Sequence, residues 1–415
     1  MKELAVGGHT ALEVNPEGVR EADVVMGLYA WNDAANMELA VAKCSGGAVR
    51  YRPDLRSVLV CSDMASEDGT REAFLSVPSE TPRIYVSTSA ERAERTRRGS
   101  FFNIVSAAHR LGARAVVTFA ASTATLKKTW FHRLLDPVLD NGACFTSPLY
   151  SRHAFDLPIT YLLSYPFFRA LFGRRIRNPH LGDCAFSGEL NEVFLNTRTW
   201  PDEPHFCSTE LATAAIASSR GPVFQSFMGD PRVGRERLPV DASIGEDFCK
   251  TLRSFYQLMA IYPEMWKKPR NSRPTPVIGA GIKGDILPPR QLVGAPAAFL
   301  PLIANGIRES RGIWESEFAY HMPLWHALKD PPPRGLKVSS EDWADLVYRG
   351  AASYRCMAGQ GEMVVRALMP VFLARLLDYQ LFTTASTAAQ VSAAVESECE
   401  VFEKAKPRLV ALWGD

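Results

Sequence analysis

From residue 22 to about 150, short continuous apolar runs alternate with longer stretches whose apolar residues recur at helical spacing. Asp23-Val24-Val25-Met26-Gly27-Leu28 predicts a strand buried on both faces, and residues 34–43 predict the helix after it. Ser57-Val58-Leu59-Val60-Cys61 predicts a second strand, followed by a turn at Ser66-Glu67-Asp68-Gly69 and a helix from Thr70. Arg83-Ile84-Tyr85-Val86-Ser87 and Ala115-Val116-Val117-Thr118-Phe119 predict a third and a fourth strand, with a helix over 100–111 between them. Unbroken apolar strands alternating with helices indicate an α/β fold whose mostly parallel, Rossmann-like sheet is covered on both faces. In such sheets ligands bind beyond the carboxyl ends of the strands. The segments that follow the strands, 29–33, 62–68, 87–98 and 120–124, are therefore the places to look for chemistry.

The pattern changes after Trp266. Pro269, Pro274, Pro276, Pro288 and Pro289 fall within residues 267–290, which predicts a linker or an irregular wrapping loop. Beyond it the chain reads as helical. Ser340-Glu341-Asp342-Trp343 predicts a helix start, with a hydroxyl cap and acids in the first turn. Trp343, Leu346, Val347 and Tyr354 then recur at helical spacing, and two more amphipathic helices are predicted over 362–382, kinked at Pro370, and over 388–405. The expected organisation is an α/β domain over 20–265, a Pro-rich linker or wrapping segment over 266–335, and a helical C-terminal domain over 336–415.

Composition narrows the function classes. The chain has 415 residues, 47 Lys+Arg against 45 Asp+Glu and a net charge of +2, which argues against a dedicated nucleic-acid binder. Eight cysteines without a close pair predict neither a disulfide framework nor a zinc site. The first ten residues carry no apolar leader, and no stretch reaches the roughly 18 apolar residues of a spanning helix. A reduced, cytoplasmic protein is the expectation. The nearest approach to a membrane-seeking segment is 157–172, followed by Arg174, Arg175 and Arg177. It reads as a buried helix with a basic end, the alternative being a helix at a membrane surface.

Gly279-Ala280-Gly281-Ile282-Lys283-Gly284 fits G-x-G-x-x-G, but Pro288 and Pro289 follow where a dinucleotide site needs a helix. It reads as a flexible turn. No nucleophile elbow, Walker loop or H-E-x-x-H occurs, and His321 and His326 flank Pro323 at a spacing that does not share a helix face.

The strand-end segments resemble a known family. The run from Ala22 through Tyr29-Ala30-Trp31-Asn32-Asp33 to Ala34 resembles the opening strand and loop of GT-A-fold nucleotide-sugar glycosyltransferases. Ser62-Asp63-Met64-Ala65-Ser66-Glu67-Asp68-Gly69-Thr70 resembles their second-strand loop, which holds base and ribose, and Arg98-Gly99-Ser100 resembles their phosphate-side segment. Three stretches are similar to the glucosylglycerate and mannosylglycerate synthases and their phosphoglycerate-using relatives. They are Arg152-His153-Ala154-Phe155-Asp156, the run from Gly182-Asp183 to Gly188-Glu189-Leu190, and Phe402-Glu403-Lys404-Ala405-Lys406-Pro407. The resemblance implies a GT-A domain and hexosyl transfer from a nucleotide-diphosphate sugar to a small hydroxy acid such as glycerate or phosphoglycerate. It implies a retaining outcome as well.

It also exposes a departure. The family carries an Asp-x-Asp after the fourth strand and a later His, which hold Mg²⁺ or Mn²⁺ on the diphosphate. Ala120-Ala121-Ser122 and Val233 stand at those places, and such residues supply almost no hard ligands. The expectation is a degenerate motif with no bound metal, the leaving phosphate being met by arginine or lysine. Candidates are Arg97, Arg98, Lys127, Lys128 and the Arg174-Arg175-Ile176-Arg177 cluster.

Tyr29, Asn32, Asp33, Asp63, Arg98 and Ser122 are the donor-binding candidates, the alternative for Asp63 and Asp68 being that they make turns. Asp183 is the candidate acid at sugar or acceptor, Glu189 the residue orienting its loop, and Glu210 a further acid or a first-turn helix residue. Arg152, His153 and Arg177 are candidates for the acceptor's carboxylate. The rival class is a pseudo-glycosyltransferase that binds without turnover, as partner of an active paralogue. A third is a membrane-surface transferase resting on 157–177. The helical C-terminal domain offers a surface for a homodimer.

Overall fold

The computed structural model describes residues 2–6, 9–88, 97–179, 182–196, 200, 209–229, 231–233, 240–279, 292, 298–330, 337–357 and 359–414. In chain order these form β1 (Lys2–Val6), β2 (His9–Val14), β3 (Val24–Ala30), α1 (Met37–Tyr51), β4 (Ser57–Asp63), α2 (Thr70–Ser76), β5 (Arg83–Thr88), α3 (Arg97–Arg110), β6 (Ala115–Ala120), α4 (Lys128–Asp140) and β7 (Phe145–Leu149). Next come α5 (Tyr165–Phe172), β8 (Arg174–Arg175), β9 (Cys184–Ser187), α6 (Leu190–Leu195), α7 (Thr209–Ser218), β10 (Val223–Phe227), α8 (Ile244–Ile261), α9 (Pro263–Trp266), β11 (Arg273–Pro274) and β12 (Val277–Ile278). The remainder is helical: α10 (Leu300–Glu309), α11 (Arg311–Glu317), α12 (Met322–Lys329), α13 (Ser340–Cys356), α14 (Gly361–Ala385) and α15 (Ala388–Trp413).

Two compact units divide the chain: 1–152, 180–237 and 275–286 in one, and 153–179, 238–274 and 287–415 in the other. The first is built on a ten-stranded sheet of order β1-β2-β5-β4-β3-β6-β9-β7-β10-β12. Its centre is parallel, β5-β4-β3-β6, as the apolar runs predict. All seven residues of β3 are buried, because helices cover both faces. Gly27 lets α3 close on that strand, since a Cβ there would meet Ile104 Cγ2 at 2.6 Å. The rest of the sheet, including β7, β10 and β12, is absent from the sequence reading. The hairpin β1–β2 extends one edge antiparallel to β5, and β9 is inserted antiparallel between β6 and β7. The fold class is thus α/β with a large, mostly parallel sheet and a helical C-terminal part.

The second unit is helical. Trp343, Leu346 and Val347 are buried on α13, as their spacing predicts, but the cap is Ser339, whose hydroxyl accepts from the Asp342 amide. Helix α14 runs unbroken through Pro370, and Thr387 and Gln390 form a capping box on α15. The expected linear boundaries differ from this division. Residues 153–179 and 238–265 lie inside the predicted α/β domain yet pack with the helical unit. The expected linker over 266–335 carries α10, α11 and α12, whose Ile303, Ile307, Trp314 and Trp325 are buried, with Trp314 Nε1 donating to Ala367 O of α14, so that these helices are part of the helical unit. Residues 160–172 are all buried within the fold, and no helix among the described residues is long and apolar enough to cross a membrane. Most of the dismissed glycine motif, 280–284, lies outside the described residues.

Candidate functional site

The carboxyl ends of β3 and β4 are tied into one hydrogen-bonded unit. Asn32, in the left-handed region at φ 51°, donates its amide to Ser66 Oγ at 2.7 Å and accepts from the Glu67 amide at 3.0 Å. Asp33 accepts from the Trp31 amide and from Asn36 Nδ2, while its own amide donates to Thr70 Oγ1 at 2.9 Å. Asp68 accepts from the Ala34 amide and from the Thr70 amide and hydroxyl. Burial works against the Asp68 charge, but those three donors hold its carboxyl below the usual range. Asp63 is fully buried and takes Tyr85 Oη and Ser66 Oγ, each at 2.5 Å. Burial pushes its carboxyl up against those bonds. All three acids therefore help build the two loops that follow β3 and β4.

Next along the sheet, the Ala121 amide donates to Tyr29 O at 2.9 Å, which places 120–125 beside the first loop. The segment 231–233 closes on it: the Ala124 amide donates to Val233 O at 3.0 Å, and the Val233 amide to Thr125 Oγ1 at 2.9 Å. Ala120, Ser122 and Val233, far apart in sequence, belong to one corner. Asp183 fills it. Its side chain is fully buried and accepts from the Ala120 amide at 3.3 Å, from Tyr150 Oη at 2.9 Å, and from Arg232 Nε and Nη2. Burial holds the Tyr150 hydroxyl well above its usual range, the Asp183 charge adding to the effect. Thr118 Oγ1 donates to Gly182 O at 2.7 Å and so fixes the approach to Asp183. Arg152 lies with its guanidinium 5.2 Å from the centre of the Tyr150 ring.

The remaining predicted residues are dispersed. Glu189 is a correction. Because β9 runs antiparallel to β6, with Thr118 opposite Cys184 and Ala115 opposite Ser187, Asp183 and Glu189 lie at opposite ends of β9. Glu189 is exposed beside the amino ends of the parallel strands and orients nothing at Asp183. Glu210 is buried in the first turn of α7. Arg98 sits at the start of α3, over the rings of Phe102 and Trp200 at 5.4 and 6.0 Å. His153 belongs to the helical unit and accepts from the Phe155 amide at Nδ1. Arg177, in the same unit, donates to Ser392 Oγ and pairs with Glu396 between the rings of Tyr161 and Tyr165. Arg175 donates to Ser272 Oγ there, and Lys128 packs against Gly46 of α1. The side chain of Arg97 lies outside the described residues.

Sequence reasoning missed Tyr85, Tyr150 and Arg232. One signal for Arg232 was available: it immediately precedes Val233, the residue aligned with the family's histidine ligand. Mg²⁺ or Mn²⁺ is what the resemblance implies at this corner, and the residues present do not fit either ion. Ala120 and Val233 offer no side-chain ligand, and both oxygens of Asp183 already accept hydrogen bonds, two of them from a guanidinium that would repel a cation. Among the described residues no three His, Cys, Asp or Glu gather to hold a metal.

No protein-family profile matches the chain, and none of the curated proteins does. Among solved structures, glucosyl-3-phosphoglycerate synthase from Mycobacterium tuberculosis, in complex with Mn²⁺, UDP and glucosyl-3-phosphoglycerate, overlaps 58% of this chain and 80% of its own at 17% identity and a TM-score of 0.43. The same enzyme with Mg²⁺ and UDP gives 17% identity, 58% and 79% coverage and a TM-score of 0.43. A mycobacterial protein overlaps 58% of this chain and 74% of its own at 15% identity and a TM-score of 0.42. These values describe backbone overlap alone and reach neither substrate nor mechanism.

Proposed function

We propose that the sheet unit is a GT-A-like nucleotide-sugar site, and that the protein transfers a hexose from a nucleoside-diphosphate sugar to a small hydroxy acid of the glycerate or phosphoglycerate type. One observation carries this reading. The loops that resemble the family's donor site, 29–33 and 62–70, the segments 120–125 and 231–233 that align with its metal-binding places, and 182–183 come from distant parts of the chain and meet at the carboxyl edge of one sheet. In this reading the first two loops hold the nucleoside, and the corner around Ser122 and Asp183 lies at the phosphates. Arg152 supplies positive charge for the acceptor's carboxylate. The bond from sugar C1 to the phosphate oxygen breaks, the acceptor oxygen bonds C1, and the acceptor's proton leaves. The nucleoside diphosphate departs with the electron pair, so fixed positive charge beside it lowers the barrier.

A second reading, binding without turnover, has its own support. Asp183 is fully buried and hydrogen-bonded on both oxygens, which leaves no described carboxylate at this corner poised as an acid or base. Titration calorimetry with uridine, guanosine and adenosine diphosphate sugars tests the common part, and mass spectrometry of mixtures with glycerate and phosphoglycerate separates the two. Binding with a hexosyl product supports transfer. Binding without product supports the second reading, and failure of every nucleotide sugar to bind at millimolar concentration removes both.

A further inference from the structure

We propose that Arg232 is the diphosphate-binding cation of this site, standing where the family places a divalent metal and serving the nucleotide without one. This deepens the proposed donor site and rests on it. The guanidinium meets Asp183 edge-on through Nε and Nη2, a bidentate contact that fixes its plane. Asp183 is itself anchored by the Ala120 amide and Tyr150 Oη, so the arginine is oriented before any ligand arrives. Nη1 has no hydrogen-bond partner among the described residues, and 21% of the side chain is exposed. A guanidinium with one edge held by a buried carboxylate and the other edge available suits a phosphate oxygen.

Charge points the same way. The corner brings two guanidiniums, Arg152 and Arg232, toward the Tyr150 ring and the single carboxylate of Asp183, and both counter the effect of Asp183 on the tyrosine. The backbone of 231–233 is fixed to the loop after β6 through Thr125 and Ala124, so the arginine belongs to the corner and not to a passing strand. A resident divalent ion would have to displace a guanidinium from a buried carboxylate.

The test is calorimetric binding of uridine and guanosine diphosphate, each alongside its nucleoside, in EDTA and in Mn²⁺. The wild type, Arg232→Lys, Arg232→Gln and the double variant Asp183→Asn/Arg232→Gln are compared. The double variant leaves no orphaned carboxylate, and circular dichroism checks its fold. The proposal expects diphosphate binding in EDTA, at most twofold changed by Mn²⁺. Affinity should fall at least tenfold in both Gln variants, with Lys between, while nucleoside binding is unchanged. Binding that requires Mn²⁺, or equal losses for nucleoside and diphosphate, overturns the role of Arg232 and leaves the donor site standing. Wild type that binds neither diphosphate overturns both.

Discussion

Asp183 in the sheet unit and Asp345 in the helical unit are both buried carboxylates paired with arginine, but their partners behave differently. Asp345 meets His321 Nε2 at 2.7 Å, Arg349 Nε at 2.8 Å and Arg408 Nε at 2.7 Å. His321 is buried, whereas the side chains of Arg349 and Arg408 are 23% and 47% exposed. The cluster joins the turn before α12 to α13 and α15, and its excess charge goes to water. Asp183 takes a strand-end amide, a buried tyrosine and one arginine whose far edge is open. The first arrangement fastens helices. The second holds a cation still at the place where sheets of this kind bind ligands.

The largest expected effect separates the two on stability. Asp183→Ala strands the guanidinium and leaves the Tyr150 hydroxyl and the Ala120 amide without their acceptor. Removing one partner of a buried pair costs about 3–5 kcal/mol. Asp345→Ala should cost about 1–3 kcal/mol, because the two half-exposed arginines beside it can rehydrate. Urea denaturation of both variants measures the difference, and equal losses would erase the contrast. Burial alone would raise the Asp345 carboxyl, but hydrogen bonds from His321 and Arg349 hold it below the usual range. Its contribution is therefore present above pH 3.8, the reference value, and is lost as pH falls through the lower folded value. Nucleoside diphosphate binding should follow Asp183 and ignore Asp345.

The helical unit offers a second contrast, in pH. Lys406 is buried and donates Nζ to Leu171 O and Pro269 O, and burial pulls its amine down from 10.5 to about 7, against the opposing charge of Glu403. Between those values the unfolded chain binds one proton more than the folded one. Stability should therefore rise with pH across that window, by up to about 1.4 kcal/mol per pH unit, and flatten below pH 7. Lys406→Met should remove that slope. Denaturation midpoints at pH 7.5 and 9.5 for the two proteins check it, and parallel slopes would mean that the amine stays charged in the fold.

These contrasts were only partly legible in the sequence. The strands β3, β4, β5 and β6 were readable because a strand buried on both faces is apolar without interruption. Strand β9 was not: Cys184-Ala185-Phe186-Ser187 is too short to show a period, and nothing in it announces an antiparallel direction. That one unreadable direction misplaced Glu189. Asp63 and Asp68 were ambiguous because turn-making and ligand-gripping ask for the same residue, and their partners Tyr85 and Thr70 were not legible from local pattern. Arg232 lay 49 positions from Asp183, a pairing that no local pattern encodes.

The smallest effect tests the reversal at β9 most directly. If Asp183 and Glu189 lay in one site, Glu189→Gln would weaken ligand binding. The structure puts Glu189 on the opposite edge of the sheet, exposed, where a surface substitution changes stability by no more than about 0.5 kcal/mol. Its charge bears on Cys144, whose thiol donates to Gly221 O at 3.1 Å. Burial pushes that thiol up to about 11, and the Glu189 charge adds a smaller push. Glu189→Gln should therefore leave nucleotide affinity unchanged while the Cys144 thiol titrates slightly earlier, followed by the pH dependence of its alkylation. A tenfold loss of nucleotide affinity in this variant would mean that β9 does not run from Asp183 toward the far edge. The corner built around Asp183 would then have to be redrawn.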